Sequence, residues 1–170
     1  MLYLQSPKTD LSPALRTTIE KLEHNSQDLF HSVNNLFNIA KIQSGDMILD
    51  IQKINLTQIC HEILLEFYNL LEKENFRVEV HIKDKPLYAN ADADAISRIL
   101  KNLIDNAIKY GSSGKFLGLS LYEKNNHIFI DIEDHGKGIS ETDKKYIFTR
   151  TYTVDRKKGN GLGLAISQGL

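Results

Sequence analysis

A single apolar seam near the start of the chain constrains its fold more than any other sequence feature. Its hydrophobic residues recur at alternating steps of four and three, with one polar interruption at Ser26; they are Leu15, Ile19, Leu22, Leu29, Val33, Leu36 and Ala40. This period places their side chains on one face of a long helix. Ser12-Pro13 is a typical start for such a helix, and Ser44-Gly45-Asp46 is a typical end.

An apolar stripe of this length cannot be covered by its own helix, so the seam predicts a partner helix. The partner belongs either to the same domain, as in a helix bundle, or to a second copy of the chain, and we favour the second interpretation. The remaining residues are numerous enough to form one compact domain with a core of its own.

The composition excludes several classes of function. Lys and Arg total 21 against 22 Asp and Glu, a net charge of -1, whereas a general nucleic-acid binder or a protein of anionic membranes needs a basic surface. No stretch has the roughly 18 uncharged apolar residues of a membrane span, and no signal peptide is recognisable. The single Cys60 forms no internal disulfide and offers no metal-ligand spacing. We therefore expect a cytoplasmic domain without a membrane segment and without a nucleic-acid partner.

Helical and strand patterns alternate after residue 45. Apolar periods and caps predict helices at 55–74, 92–110 and 140–148, and the start of another at 165–170. Period-two alternation and turn residues predict strands at 76–82, 86–89, 116–122 and 127–133, the last two joined at 124–126. This mixture predicts an α+β fold, a two-layer sandwich of helices on one face of a sheet.

The predicted helix at 92–110 carries polar residues at steps of four and three. Asn102, Asn106 and Lys109 therefore share one side of the helix, and Tyr110 follows at its end. An amide oxygen is a hard ligand that suits Mg²⁺, and an ammonium suits phosphate. Taken alone, the spacing is weak evidence and is more often that of a solvated polar face.

Two glycine-containing segments follow. In Asp134-His-Gly136-Lys-Gly138-Ile139, directly after a strand, the carboxylate can accept a hydrogen bond from an exocyclic amine such as that of adenine, although an ordinary turn has the same composition. Gly159-Asn-Gly161-Leu162-Gly163-Leu164 opens a helix, where backbone N–H groups and the positive helix end suit phosphates. The second segment matches neither a Rossmann fingerprint nor a Walker A loop.

In their order along the chain, these segments resemble the nucleotide-binding boxes of the sensor histidine kinases. Residues 102–110 resemble the N box and 134–139 the G1 box, Ile147-Phe148 with Tyr152 resembles the F box, and 159–164 resembles the G2 box. Residues 36–45 are similar to the end of the second dimerisation helix of that family. The resemblance thus extends over roughly residues 12–170.

The resemblance implies a Bergerat (GHKL) ATP-binding fold, with a mixed, mostly antiparallel sheet covered by helices and preceded by a long helix. Residues 1–45 would be the second helix of a dimerisation bundle. Residues 46–170 would be the ATP-binding catalytic domain, without the strands that end the family's sheet.

The resemblance also assigns roles to the motif residues. Asn106 would ligate Mg²⁺ with Asn102 alongside, Lys109 would contact phosphate, Tyr110 would lie near adenine or ribose, and Asp134 would bind the adenine amino group. Gly136 and Gly138 would shape the base pocket, and Gly161 and Gly163 the phosphate side of a lid. The remaining ATP-binding positions implied by the boxes are Ile139, Phe148, Tyr152, Gly159, Leu162 and Leu164.

The residue at position 102 distinguishes between two reactions. Related ATPases of this fold, such as gyrase-type topoisomerases, carry there a Glu that activates water, and the amide of Asn102 cannot act as a general base. We therefore expect a kinase that transfers the γ-phosphoryl of Mg-ATP to a histidine for relay to the Asp of a response-regulator receiver domain. The alternatives are an ATP-hydrolysing enzyme of the same fold and a degenerate nucleotide-binding module without catalysis.

The chain departs from the family pattern at two places. The phosphoacceptor His and its helix are not recognised, because His24, His31 and the His61-Glu62 pair lack the expected surroundings, so we expect the chain alone not to phosphorylate itself. Thr153 follows Tyr152 where the family has Arg, and a cation from 156–158 is one possible replacement. The intact protein is expected to be a homodimer through its N-terminal helix and to be anchored in the cell membrane.

Overall fold

The computed structural model describes residues 12–45, 47–83, 85–154 and 161–170. This part of the chain contains five helices and five strands. In order they are α1 (Pro13–Ser44), β1 (Gln52–Asn55), α2 (Leu56–Lys73), β2 (Arg77–Ile82), β3 (Tyr88–Ala91), α3 (Ala93–Tyr110), β4 (Phe116–Lys124), β5 (His127–Asp134), α4 (Glu141–Lys144) and α5 (Gly163–Gly169).

The strands form two sheets. In the larger one, β4 lies in the centre, parallel to β2 and antiparallel to β5, and in the smaller one β1 and β3 are antiparallel. Helices α2 and α3 pack together and contact the sheet strands, which confirms the predicted α+β fold with a mixed sheet covered by helices. The parallel β2–β4 pairing requires a crossover, and the segment between the two strands contains β3 and α3.

The core lies between the central strand and the two helices. Leu117, Leu119 and Leu121 of β4 are almost fully buried and meet Ile104 of α3 and Cys60 of α2. Cys60 is thus the small core hydrophobe that its place on the apolar stripe indicates, and burial raises the pKa of its thiol to about 11.

A capping hydrogen bond explains the start of α3, and backbone φ angles explain the hairpin. The backbone N–H of Ala95 donates to the Asp92 carboxylate (2.9 Å), so α3 begins where the sequence predicts and ends at Tyr110 as expected. The hairpin predicted at 124–126 is a two-residue turn, and its residues Asn125 and Asn126 both have the positive φ, 52° and 60°, that such a turn requires.

The structure differs from the predicted elements at four places. Strand β1 was not predicted, because Gln52–Asn55 has a single apolar residue, and β3 begins at Tyr88, two residues later than expected. Helix α4 ends at Lys144, and the residues from there to Phe148 form turns. At the start of α2 the Gln58 side chain donates to Glu62 (2.8 Å), so the Asn55 cap lacks the reciprocal bond of a capping box.

Helix α1 has the predicted length and caps, and its apolar face is exposed. The Leu15 N–H donates to the Ser12 hydroxyl (3.3 Å), and Gly45 ends the helix with φ +72°. The seam residues Leu15, Ile19, Leu22, Leu29, Val33 and Leu36 are between 43% and 66% exposed. α1 contacts α5, but that contact leaves most of the seam open to solvent. Within the described ranges, no helix has the length and apolar character needed to cross a bilayer.

Candidate nucleotide-binding site

The polar side of α3 lies against the start of α5. The amide nitrogen of Asn102 donates to the Gly163 carbonyl oxygen (3.2 Å) and to the Ser167 hydroxyl (3.4 Å). Asn106 is half-buried one turn further along the same helix, and Lys109 follows at the exposed end. The structure therefore joins two segments that are about sixty residues apart in the sequence.

Lys109 forms an ion pair with Asp105, with 2.7 Å between Nζ and the carboxylate oxygen. Both side chains are 43% exposed, and an exposed pair of this kind contributes little to stability. The ammonium can therefore exchange the carboxylate for a phosphate at small cost. The sequence analysis did not name Asp105. Its position four residues before Lys109 on the same helix is the feature that could have predicted the ion pair.

The segment 134–139, here called the Asp134 loop, packs on the C-terminal end of α3. The Gly136 N–H donates to the Asp134 carboxylate (2.8 Å). A Cβ at Gly136 would lie 2.6 Å from the Tyr110 carbonyl oxygen, and one at Gly111 would lie 2.9 Å from the Asp134 Cβ. Glycine is thus required at both positions, and this close approach brings Asp134 to the end of the helix that carries the two asparagines.

Gly138 and Ile139 form the exposed part of the Asp134 loop. Gly138 has φ +72° with no neighbour within 4 Å of a hypothetical Cβ, so its conformation, and not crowding, favours glycine. The Ile139 side chain is 49% exposed, and Phe148 beyond the loop is 45% exposed. These apolar side chains are available to a flat apolar group such as a purine ring.

The segment 151–153 crosses both α3 and the glycine segment. A Cβ at Gly161 would lie 2.3 Å from the Tyr152 carbonyl oxygen, and Gly161 has φ +68°. The hydroxyl groups of Tyr110 and Thr153 are 3.2 Å apart and share a hydrogen bond. The residue that replaces the family's Arg thus contacts the end of α3. Gly159 and the cations at 156–158, which the sequence also singled out, lie outside the described residues.

Tyr152 is fixed by an acidic partner that the sequence analysis did not identify as a site residue. Its hydroxyl donates a hydrogen bond to the Asp143 carboxylate at the end of the short helix α4. This bond, with a second one from Ser140, holds the pKa of Asp143 below its ordinary value, and the same carboxylate raises the pKa of Tyr152. The signal in the sequence is the Ser140 cap, which faces Asp143 three residues on.

The two leucines of the glycine segment have different environments. Leu162 is 4% exposed and packs with Ile166 and Leu170 along α5. Leu164 is half-buried. The Asn102–Gly163 bond holds the start of α5 against α3.

The segments that form this candidate site lie in a part of the chain that matches a known protein family. Residues 91–170, which include α3, the Asp134 loop and the glycine segment, match the family model HATPase_c, the histidine kinase-, DNA gyrase B- and HSP90-like ATPases. The chain is also 39% identical over 155 residues to the sensor histidine kinase YcbM of Bacillus subtilis (strain 168), across 88% of this chain and 50% of that protein. Residues 91–170 thus form a domain of the HATPase_c family, and the chain is similar to part of a sensor histidine kinase.

Solved structures of histidine kinases share the fold of this chain. Full-length ShkA in complex with AMPPNP superposes with a TM-score of 0.77 at 19% identity, covering 95% of this chain and 34% of that one. The histidine kinase ThkA in complex with the response regulator TrrA gives a TM-score of 0.63 at 20% identity, covering 88% and 42%. The chain spans half the length of YcbM, so it corresponds to part of such a kinase.

Proposed function

We propose that residues 46–170 bind Mg-ATP and supply its γ-phosphoryl group to a histidine outside this chain. The observation that carries the proposal is the convergence of three segments on the polar side of α3. Asn102 bonds to Gly163, Tyr110 bonds to Thr153, and Asp134 lies at the helix end. A metal-bound nucleoside triphosphate requires an amide oxygen for the metal, a carboxylate for the base and backbone N–H groups for the phosphates, and these three segments supply them.

Each part of the nucleotide has a proposed contact. Asp134 accepts a hydrogen bond from the adenine amino group, Gly136 and Gly138 leave room for the base, and Tyr110 lies beside adenine or ribose. Lys109 binds phosphate in exchange for Asp105, while the N–H groups at Gly161 and Gly163 face the phosphates from the other side. Ile139, Phe148, Tyr152, Gly159, Leu162 and Leu164 complete the proposed ATP-binding set.

The chemistry of these residues fits Mg²⁺. In the part of the chain that the structure describes, no three His, Cys, Asp or Glu side chains form a cage for a metal ion. Mg²⁺ needs no such cage, because it keeps several waters and is held largely by substrate phosphates. Asn106 would supply a hard amide oxygen, with Asn102 beside it. The bound ion would supply charge neutralisation on the phosphates.

The residue at position 102 favours transfer over hydrolysis. Its amide donates to Gly163 and has no basic group that could deprotonate water. Phosphoryl transfer to an aligned nucleophile depends mainly on positioning and on electrostatic stabilisation, and the residues of this site can provide both.

The remaining partners follow from the proposed reaction. We propose that residues 1–45 belong to the second helix of a dimerisation bundle, that the exposed seam of α1 pairs two copies, and that the phosphoryl group passes on to the receiver domain of a response regulator. The complex of the histidine kinase ThkA with the response regulator TrrA supports the last step, because it pairs a kinase of this fold with such a partner. The domain would act in the cytoplasm, where ATP is available, within a membrane-anchored parent protein.

The test separates transfer from hydrolysis. The chain is mixed with γ-labelled ATP and a separate helical bundle that carries a phosphoacceptor histidine. We expect acid-labile label on the histidine and little free phosphate. Steady phosphate release without labelled histidine would contradict the proposal and favour an ATPase, and nucleotide binding with neither product would favour a module without catalysis.

A further inference from the structure

His135, the second residue of the Asp134 loop, is held by contacts of its ring face and of its ring edge. The imidazole stacks on Phe116, with ring centroids 3.9 Å apart and an interplanar angle of 15°. Its Nε2 lies 3.0 Å from the Glu133 carboxylate, within hydrogen-bond distance. Phe116 is only 6% exposed, so the stack rests on a rigid part of the sheet.

The backbone of His135 is fixed as well. A Cβ at Gly114 would lie 2.0 Å from the His135 carbonyl oxygen, closer than any side chain permits. The turn after α3 therefore presses directly on this peptide unit. Side chain and backbone together leave residue 135 little freedom to rotate.

Asp134 and His135 lie on opposite faces of the sheet. Asp134 pairs in register with Leu117, whose side chain lies in the core, and neighbouring residues of a strand point to opposite faces. The His135 ring stacks on Phe116 on the outer face, and Asp134 lies on the inner face. There it meets Gly111 at the end of α3.

We propose that His135 is a positioning residue for adenine recognition. The proposal rests on the proposed function, in which Asp134 accepts a hydrogen bond from the adenine amino group. His135 does not touch the nucleotide. Its stack on Phe116 and its bond to Glu133 hold the neighbouring carboxylate in the direction that this hydrogen bond needs, because misplacement of a binding group by about 1 Å can cost a large part of its effect.

Arg77 provides a matched control on the same ring. Its guanidinium carbon lies 5.6 Å from the Phe116 ring centroid, and its side chain forms an ion pair with Glu79 on the edge strand β2. Arg77→Ala therefore removes a contact of Phe116 without removing one from the Asp134 loop.

The experiment compares the affinities of the full chain for ATP and for purine riboside triphosphate, which lacks only the 6-amino group, both with Mg²⁺. We expect the wild type to prefer ATP by a factor on the order of ten or more, as a hydrogen bond to a charged acceptor supports. His135→Ala should reduce this preference by about fivefold, with most of the loss in ATP affinity. His135→Phe, which keeps a stacking ring, should restore much of the preference, and Arg77→Ala should leave it unchanged.

The outcomes distinguish the inference from the function on which it rests. If the Asp134→Ala variant still prefers ATP, the proposed recognition of adenine by Asp134 is wrong. If Asp134→Ala abolishes the preference but His135→Ala retains it, or weakens both nucleotides equally, the positioning role is wrong and the site stands. If His135→Ala does not fold, the same comparison is made with His135→Gln. This variant removes the ring and keeps a donor for Glu133. An unchanged preference for ATP in His135→Gln overturns the inference.

Discussion

At the scale of single residues, the site depends on backbone approaches that exclude side chains. Gly136 and Gly161 each lie so close to a carbonyl oxygen of another segment that a Cβ would overlap it. Gly138 differs, because it has a positive φ, as Gly161 has, but no neighbour within 4 Å of a Cβ. Residue type alone does not reveal this difference, since all three are glycines in similar motifs.

The pair Gly161 and Gly138 therefore separates crowding from backbone strain. Gly138→Ala should cost about 1–2 kcal/mol in the free energy of unfolding, the penalty of a left-handed residue with a side chain. Gly161→Ala should cost clearly more, because the added methyl also meets the Tyr152 carbonyl oxygen. Urea denaturation of the two variants measures the difference, and equal losses would show that segment 151–152 moves aside freely.

The Tyr152–Asp143 bond makes stability depend on pH. The pKa of Asp143 is lowered in the folded chain, so its contribution is present above the unfolded pKa and is lost as the pH falls through the folded pKa. Tyr152→Phe should therefore lower the melting temperature at about pH 7, and the difference from the wild type should shrink in acid. Tyr68→Phe, at an exposed position on α2, is the control, and a Tyr152→Phe difference that is independent of pH would contradict the account.

At the scale of elements, the sequence predicts best what local chemistry determines. The cap at Asp92 and the apolar period give both ends of α3, and Asn125-Asn126 gives the hairpin. Strand β1 has no such local signal, because it is defined by pairing with β3, nearly forty residues away. The parallel β2–β4 pairing is a non-local feature of the same kind.

The same limit applies to the site. The motifs predict its residues, among them Asn102, Asn106, Lys109 and Asp134. The contacts that assemble it, Asn102 with Gly163 and Tyr110 with Thr153, join segments that are 61 and 43 residues apart and could not be derived from spacing.

Central strand β4 should dominate the stability of the domain. Leu119 is fully buried between the helices and the other strands, so Leu119→Ala should cost about 2–5 kcal/mol in the free energy of unfolding. Leu65→Ala on α2, where the side chain is 70% exposed, should change it by less than about 0.5 kcal/mol. Chemical denaturation tests both, and similar losses would contradict the assignment of the core.

At the scale of the whole molecule, the chain consists of a compact nucleotide-binding domain and a long helix that it leaves largely uncovered. The exposed seam of α1 is too long to be an ordinary scatter of surface hydrophobic residues. Its heptad-like spacing is typical of a helix that pairs with another helix. This arrangement is consistent with the proposed dimerisation through residues 1–45.

Dimerisation can be tested on the seam itself. Replacing Leu22 and Leu29 by Asp should shift the chain from dimer to monomer in sedimentation or light scattering, because each charge would be buried between two apolar faces. Asn34→Asp adds charge at an exposed position of α1 outside the seam and should leave the dimer intact. A wild-type chain that stays monomeric at high concentration would contradict the proposed pairing.

The most direct test of the account is calorimetric binding of a non-hydrolysable ATP analogue with and without Mg²⁺. We expect Mg²⁺-dependent binding that Asn106→Ala and Asp134→Ala each weaken by on the order of tenfold or more, while Asn90→Ala, an exposed amide on β3, has no effect. Binding of equal strength in all four proteins, or binding indifferent to Mg²⁺, would contradict the proposed site.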